Sequence, residues 1–187
     1  MLFRSKAPAA SPVSFPPREE FDPSGKPVSV EAWVFPDGPG GVIVAHGGPA
    51  NGYALILERK VPSFLVRSSD KLATVKAGAP LAQGWNQLVG VLGADGSMVL
   101  YVNGKVAGEG KAPGLIAKRP VQTLDVGTDG RGSVGDYKAD FNFTGLIDEL
   151  RVSFRELTAA EVMANFESPE KAREGNAKAA LAGSFDT

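Results

Sequence analysis

The chain has 187 residues, enough for one domain with a sizeable core. Its 20 Lys and Arg residues nearly balance 21 Asp and Glu residues, and the net charge of −1 argues against nucleic acid or an anionic membrane as a partner. The sequence has no cysteine, which excludes disulfides, thiolate zinc sites and cysteine nucleophiles, and no apolar run is long enough to span a bilayer.

The chain begins with a stretch rich in proline. Prolines stand at positions 8, 12, 16, 17, 23 and 27. Since proline fixes φ and lacks a backbone donor, such a stretch favours extended, linker-like structure. We therefore expect a proline-rich linker over residues 1–14 and a folded domain over residues 15–166. Residues 167–187 should form a helical or irregular tail, or the start of a further module.

Short strands dominate the predicted domain. From Val28 to Phe35, small aliphatic residues alternate with other types, a period of two that indicates a half-buried strand. Further strands are predicted at residues 42–45, 53–58, 64–68, 72–76, 87–92, 98–102, 106–109, 121–127 and 143–152. Turn residues separate them and no crossover helix intervenes, which is typical of an antiparallel sandwich or barrel.

Two turns and one helix carry specific signals. Asp95-Gly96 and Asn103-Gly104 lie between apolar runs and predict hairpins with primed turns. A helix should begin after Thr158, where Glu161 completes a capping box, and should end near Phe166. A weaker helix start follows Ser168.

Several motifs, in this order, resemble the laminin-G-like, concanavalin A-like jelly-roll family. They are residues 28–34 (VSVEAWV), 84–88 (GWNQL), 100–105 (LYVNGK), 124–127 (LDVG), 143–151 (FTGLIDELR) and 155–158 (RELT). The resemblance covers residues 15–166. It implies an all-β fold, a two-sheet antiparallel jelly-roll sandwich with one short C-terminal helix and a concave face.

The resemblance also implies a class of function. It suggests a non-catalytic, lectin-like module of a larger secreted bacterial protein, extracellular or at the cell surface, with a polysaccharide or glycan and neighbouring domains as partners. A structural or protein–protein interaction module without sugar binding is the alternative, and a glycoside hydrolase ranks below both. Exposed aromatic residues on the concave face would favour the lectin-like function, because sugars stack on flat rings.

Five residues are candidates for ligand contact. Trp33 alternates with the core positions of its strand, so it either lines the groove or is covered by a loop. His46, the single histidine, and Asn51 lie at a glycine-rich loop expected at the rim, although a loop histidine bonded to backbone is the simpler interpretation. Tyr53 and Tyr137 adjoin loops and are expected to be exposed. Trp85 and Tyr101 are expected in the core.

Asp148 is the candidate metal ligand. Family members often hold calcium near the strand that matches residues 143–152, so the resemblance implies a structural calcium ion there, and an aspartate satisfied by backbone donors is the alternative. Asp148 and Glu149 are adjacent and should point to opposite faces of a strand, so they should not form a catalytic pair. Glu149 and Arg151 should share a face, where they form either an ion pair or part of a solvated edge. We therefore predict no catalytic residues.

Overall fold

The structure, a computed structural model, describes residues 2–3, 12–130, 132–138 and 141–168. Its strands are β1 (Leu2–Phe3), β2 (Val13–Phe15), β3 (Val28–Pro36), β4 (Gly41–Gly47), β5 (Gly52–Glu58), β6 (Val61–Ser68), β7 (Lys71–Lys76), β8 (Asn86–Leu92), β9 (Ser97–Val102), β10 (Lys105–Lys111), β11 (Leu124–Val126) and β12 (Gly145–Ser153). A short 3-10 helix spans Glu19–Phe21, and helix α1 spans Ala159–Glu167.

The strands form two six-stranded sheets. Sheet I has the order β1-β12-β3-β8-β9-β10, and sheet II has the order β2-β11-β4-β5-β6-β7. All neighbouring strands within the sheets are antiparallel. The predicted all-β jelly-roll sandwich with one short C-terminal helix is confirmed.

Alternation along the strands builds the core between the sheets. In β3, Val30, Ala32 and Val34 are fully buried and face sheet II, as the period of two predicts. Phe64 of β6 packs against Gly90 of β8 across the sandwich, where glycine leaves room for the ring. The side chains that alternate with this set lie on the outer faces.

The two turns predicted from Asp95-Gly96 and Asn103-Gly104 differ in backbone conformation. Asn103 and Gly104 both have positive φ, 51° and 77°, which is the primed turn that was predicted. At Asp95-Gly96, only the glycine has positive φ, and its N–H donates to the carbonyl of Gly93. The primed-turn prediction is therefore wrong there, because a longer loop places glycine alone in the left-handed region.

The N-terminal stretch contributes to both sheets. β1 pairs with β12, and β2 pairs with β11, although both strands fall wholly or partly within the predicted linker. Pro12 and Pro16 flank β2, so the strand occupies the three residues between them that are free of proline.

Helix α1 lies on the outer face of sheet I. Thr158 caps it as predicted: its Oγ1 accepts the N–H of Glu161 at 3.3 Å, and the Glu161 carboxylate accepts the N–H of Thr158 at 2.8 Å. Leu157 and Val162 pack in one apolar cluster with outward residues of β8 and β9, including Tyr101, whose predicted buried position is confirmed.

The weaker helix predicted after Ser168 lies outside the described residues. No helix in the described part of the chain is long and apolar enough to cross a membrane.

Candidate functional site

An aromatic pair stands on the outer face of sheet I where β3 ends and β8 begins. Leu146 of β12 is the register partner of Phe35, and the Phe35 and Trp85 rings meet edge to face with centroids 5.8 Å apart. Trp85 is 44% exposed, while Phe35 and Leu146 are partly buried. We call these three residues the aromatic patch.

Trp85 was predicted in the core, and that prediction is wrong. Leu88 and Leu92 of the same strand face sheet II, so residues 85, 87, 89 and 91 alternate to the outer side. The local sequence contained this signal, because counting back from Leu88 places Trp85 outward. Among the described residues, Trp85, Val106 and Val121 are the exposed large hydrophobic residues, and Trp85 is the one aromatic among them.

Trp33 lies one row further along the same face, between Asp148 of β12 and Gln87 of β8. Its ring stacks on Phe166 of α1 with centroids 5.8 Å apart and planes 10° apart. The position outside the core was predicted, and the residue is covered by a helix rather than by a loop. Its Nε1 atom is buried and meets no hydrogen-bond acceptor among the described residues.

A buried ionic network holds α1 on sheet I. Arg151 Nη1 donates to Glu31 Oε2 at 3.1 Å, and Arg151 Nη2 donates to Glu149 Oε2 at 2.8 Å, which confirms the predicted ion pair. Glu31 also accepts from Gln87 at 2.8 Å and from Asn165 of α1 at 3.0 Å. Because both terminal nitrogens of the Arg151 guanidinium are paired with carboxylates, the positive charge of this buried side chain is compensated beneath α1.

A β-bulge in β12 changes the directions of two acidic side chains. Glu149 has φ 51°, and the register shifts between Asp148 and Arg151. Ile147 and Leu150 both lie in the core, so Asp148 and Glu149 do not alternate across the sheet. The expectation that they point to opposite faces is wrong, because the extra residue of a bulge interrupts the alternation.

The surroundings of Asp148 bear on the calcium prediction. Its Oδ1 accepts the N–H of Glu149 at 2.9 Å, and the Glu149 carboxylate is engaged by Arg151. Calcium takes six to eight oxygen ligands. The described part of the chain has no group of three or more His, Asp or Glu residues placed to hold a metal ion. Calcium at Asp148 therefore stays a prediction of the resemblance.

His46 and Tyr53 lie inside the sandwich. β4 extends to Gly47 and β5 begins at Gly52, so both residues are strand residues, and they are register partners. Their exposures are 1% and 0%, and their rings meet edge to face at 5.6 Å. The expectation of a loop histidine is wrong because β4 continues through His46 to Gly47, and the expectation of an exposed Tyr53 is wrong because Tyr53 shares the inward face of β5 with Leu55. The pKa of His46 is lowered to about 4: burial is the largest cause, the Arg119 charge acts in the same direction, and the Asp22 and Asp125 charges oppose it.

Tyr137 and Asn51 make internal contacts at the end of sheet II. The Tyr137 hydroxyl donates to Asp129 Oδ2 at 2.5 Å, and the same oxygen accepts the N–H of Val134 at 3.1 Å. Tyr137 is partly buried, so it is less exposed than predicted. The Asn51 side chain accepts the N–H of Ser69 at 3.2 Å. Both residues thus support loops, and no local pattern in the sequence indicates these partners.

The segment 132–138 crosses the outer face of sheet II, and we call it the strap. Val134 and Tyr137 of the strap, with Phe141 beyond it, pack on outward apolar residues of the sheet. Arg67 of β6 donates to the carbonyl of Val134 and pairs with Asp136 at 2.8 Å. The strap therefore covers outward apolar residues of sheet II.

The sequence profile of the laminin G family, described as "concanavalin A-like lectin/glucanases superfamily", matches residues 8–163. The chain belongs to this superfamily. No curated protein has a sequence that matches it.

Solved structures show the same fold at low identity. Domain 4 of AbnA, a GH43 extracellular arabinanase from Geobacillus stearothermophilus in complex with arabinotriose, has a TM-score of 0.64 and 19% identity, over 84% of this chain and 73% of that one. A native heptameric SAP-like pentraxin from Limulus polyphemus has a TM-score of 0.59 and 16% identity, over 83% and 81%. Botulinum neurotoxin type C, whose cell entry depends on two ganglioside molecules, has a TM-score of 0.62 and 16% identity, over 81% and 38%.

Proposed function

We propose that this chain is a non-catalytic, lectin-like module that binds a glycan through the aromatic patch, within a larger secreted or cell-surface protein. The observation that carries the proposal is Trp85, held edge to face against Phe35 with 44% of its surface exposed. An exposed indole beside a second aromatic ring offers apolar surface that a ligand can cover favourably.

The chemistry of the patch suits a sugar ring. The apolar C–H face of a sugar packs on an aromatic ring, and nearby polar groups accept its hydroxyl protons. Thr144 is exposed two residues before Leu146, and Asp148 is partly exposed two residues after it. The two residues lie on either side of Leu146 in sequence, Thr144 just before β12 and Asp148 within it, and supply hydrogen-bonding oxygens. The AbnA domain in complex with arabinotriose and the ganglioside-dependent neurotoxin support glycan binding on this fold.

The placement of the carboxylates supports a non-catalytic role. A retaining hydrolase needs two accessible carboxylates about 5–5.5 Å apart. Glu31 and Glu149 are 2% exposed and joined by Arg151 beneath α1. Asp125 and Asp129 are 2% and 1% exposed beside the strap. Neither of these pairs is open to a polysaccharide.

The test is a glycan and polysaccharide array on the purified chain and on Trp85→Ala. We expect bound glycans to lose at least about tenfold in affinity with Trp85→Ala, since an aromatic stacking contact of this kind contributes about 1 kcal/mol or more beyond its buried area. Val121→Ala, which trims an 81% exposed residue on a distant loop, is the matched control and should bind normally. Glycan binding that is unchanged in Trp85→Ala would refute the patch as the site. A blank array would favour the structural or protein-interaction module instead.

Fluorescence gives an independent measurement, because the chain has two tryptophans. Trp33→Phe leaves Trp85 as the sole indole, and a bound sugar should shift its emission. Trp85→Phe leaves Trp33, which is stacked beneath α1 and should not respond. A response from Trp33 alone would place the ligand elsewhere.

A further inference from the structure

We infer that Asn86 is a positioning residue for glycan binding: its side chain holds the turn before β8, so that the Trp85 indole is already fixed in place when a sugar binds. This inference rests on the proposed function and concerns the same site. It is carried by the hydrogen bonds of the Asn86 side chain and by the exposure of the turn that they restrain.

The turn at residues 82–84 is weakly supported by packing. Ala82 and Gln83 are exposed, and a Cβ atom added at Gly84, which has φ 102°, would meet nothing within 4 Å. Glycine leaves the backbone more conformational freedom than any other residue. Trp85 follows directly and is itself 44% exposed, so burial contributes little to fixing the backbone that carries the indole.

Asn86 restrains this turn from the core side of the sheet. It is 1% exposed, and its register partner is Val34 of β3, which lies in the core. Its Nδ2 atom donates to the carbonyl of Ala82 at 2.9 Å and to the carbonyl of Gly84 at 2.9 Å. The backbone of Trp85 is thus held between a restrained carbonyl before it and the first residue of a paired strand after it.

A second asparagine sets the orientation of the Asn86 amide. Asn103, in the primed turn between β9 and β10, donates from Nδ2 to Asn86 Oδ1 at 3.0 Å. Asn103 is itself fixed to β8, because its N–H donates to the carbonyl of Gln87 at 2.9 Å and its Oδ1 accepts the N–H of Gln87 at 2.9 Å. With its oxygen engaged in this way, Asn86 presents both N–H donors to the turn.

A fixed indole should bind a sugar more tightly than a mobile one. Stacking requires one orientation of the Trp85 ring, and ordering a mobile side chain or loop during binding reduces affinity. Phe35 supports the indole through the edge-to-face contact, and Asn86 fixes the backbone on which the indole stands. Loss of this restraint should weaken binding by about three- to tenfold.

The experiment uses Asn86→Ala in the Trp33→Phe background, where Trp85 is the sole indole. Without ligand, we expect lower fluorescence anisotropy of Trp85 and stronger quenching by acrylamide. Glycans that bind the wild-type chain on the array should bind about three- to tenfold more weakly. Asn103→Gly should act in the same direction, because glycine keeps the positive φ of its turn and removes the amide that orients Asn86. This second variant decides the matter if Asn86→Ala does not fold.

Ser68→Ala is the matched control. Ser68 is a buried residue at the end of β6 in sheet II, and it too makes two hydrogen bonds to a loop. Its Oγ donates to the carbonyl of Leu115 at 2.9 Å and accepts the N–H of Ala117 at 3.1 Å. Ser68→Ala should therefore lower stability but leave the anisotropy of Trp85 and the glycan affinity unchanged.

The outcomes separate the two proposals. Wild-type anisotropy or wild-type affinity in Asn86→Ala and Asn103→Gly, with binding still weakened by Trp85→Ala, would overturn this inference and leave the proposed function standing. An equal loss of affinity in Ser68→Ala would also overturn it, because lower stability would then be the cause. Binding that Trp85→Ala leaves unchanged, or failure of every glycan to bind, would overturn the proposed function and this inference together.

Discussion

Gly90 of β8 lets the Phe64 ring of β6 pack directly on the strand, and Gly90→Ala tests this contact. A Cβ atom at position 90 would lie 2.3 Å from Cδ2 and 2.5 Å from Cγ of Phe64 in β6. Atoms in ordinary van der Waals contact are about 3.5–4 Å apart, so ring and strand must separate by more than about 1 Å. Phe64 is completely buried, so its ring has no solvent-filled space to enter.

The expected cost follows from overpacking. Forcing an extra methyl group into a packed core typically costs about 1–3 kcal/mol, and the size of this overlap places Gly90→Ala toward the upper end. For a domain of this length, that corresponds to a fall in Tm of about 4–10 °C. Circular dichroism during thermal and urea unfolding measures both quantities.

A double-mutant cycle identifies the cause. Phe64→Leu alone should destabilise the fold by about 1–2 kcal/mol, because it removes buried atoms and leaves a cavity. In that background, the added methyl group of Gly90→Ala occupies vacated space, so its cost should fall by at least about 1 kcal/mol. Equal costs of Gly90→Ala in both backgrounds, or no cost in either, would refute the steric argument.

Three further predictions concern other parts of the fold. Thr158→Ala removes the N-cap of α1 and should lower the free energy of unfolding by about 1 kcal/mol without affecting glycan binding; an unchanged melt would argue against the capping box. His46 has its pKa lowered from 6.5 to about 4, so the stability due to its neutral form should be complete above pH 6.5 and lost as the pH falls toward 4. His46→Phe should flatten that part of the stability–pH curve, and an unaltered slope would show that another group titrates. If calcium binds at Asp148, calcium should raise Tm, chelator should lower it, and Asp148→Asn should abolish the response; identical melts in calcium and in chelator would remove the ion from this site.

The sequence predicted the local elements well, because their signals are local. Alternation in β3 and the capping box at Thr158 depend on residues within a few positions of each other, and both are confirmed. The prediction of a buried Trp85 is wrong, although parity with Leu88 places the residue on the outer face, because apolar character alone favours burial and does not say which face a strand residue occupies. In β8 the alternation of the strand thus outweighs the hydrophobicity of one residue.

Other features depend on contacts that no local pattern records. Glu31 and Arg151 are 120 positions apart, and their pairing follows from the placement of β12 beside β3. The bulge at Glu149 requires a positive φ at a residue that rarely adopts one, so its sequence does not indicate it. The hydrogen bond between Tyr137 and Asp129 joins two loop residues in a conformation that alternation does not describe.

The position of Phe166 has a practical consequence for anyone who produces this domain as a fragment. The family profile ends at residue 163, whereas Asn165 and Phe166, which hold α1 to Glu31 and Trp33, lie just beyond it. A fragment cut at the profile boundary would lose both contacts and uncover Trp33 beside Trp85. Its surface would then show two adjacent indoles, and sugar retention or self-association measured on it would be an artefact of truncation.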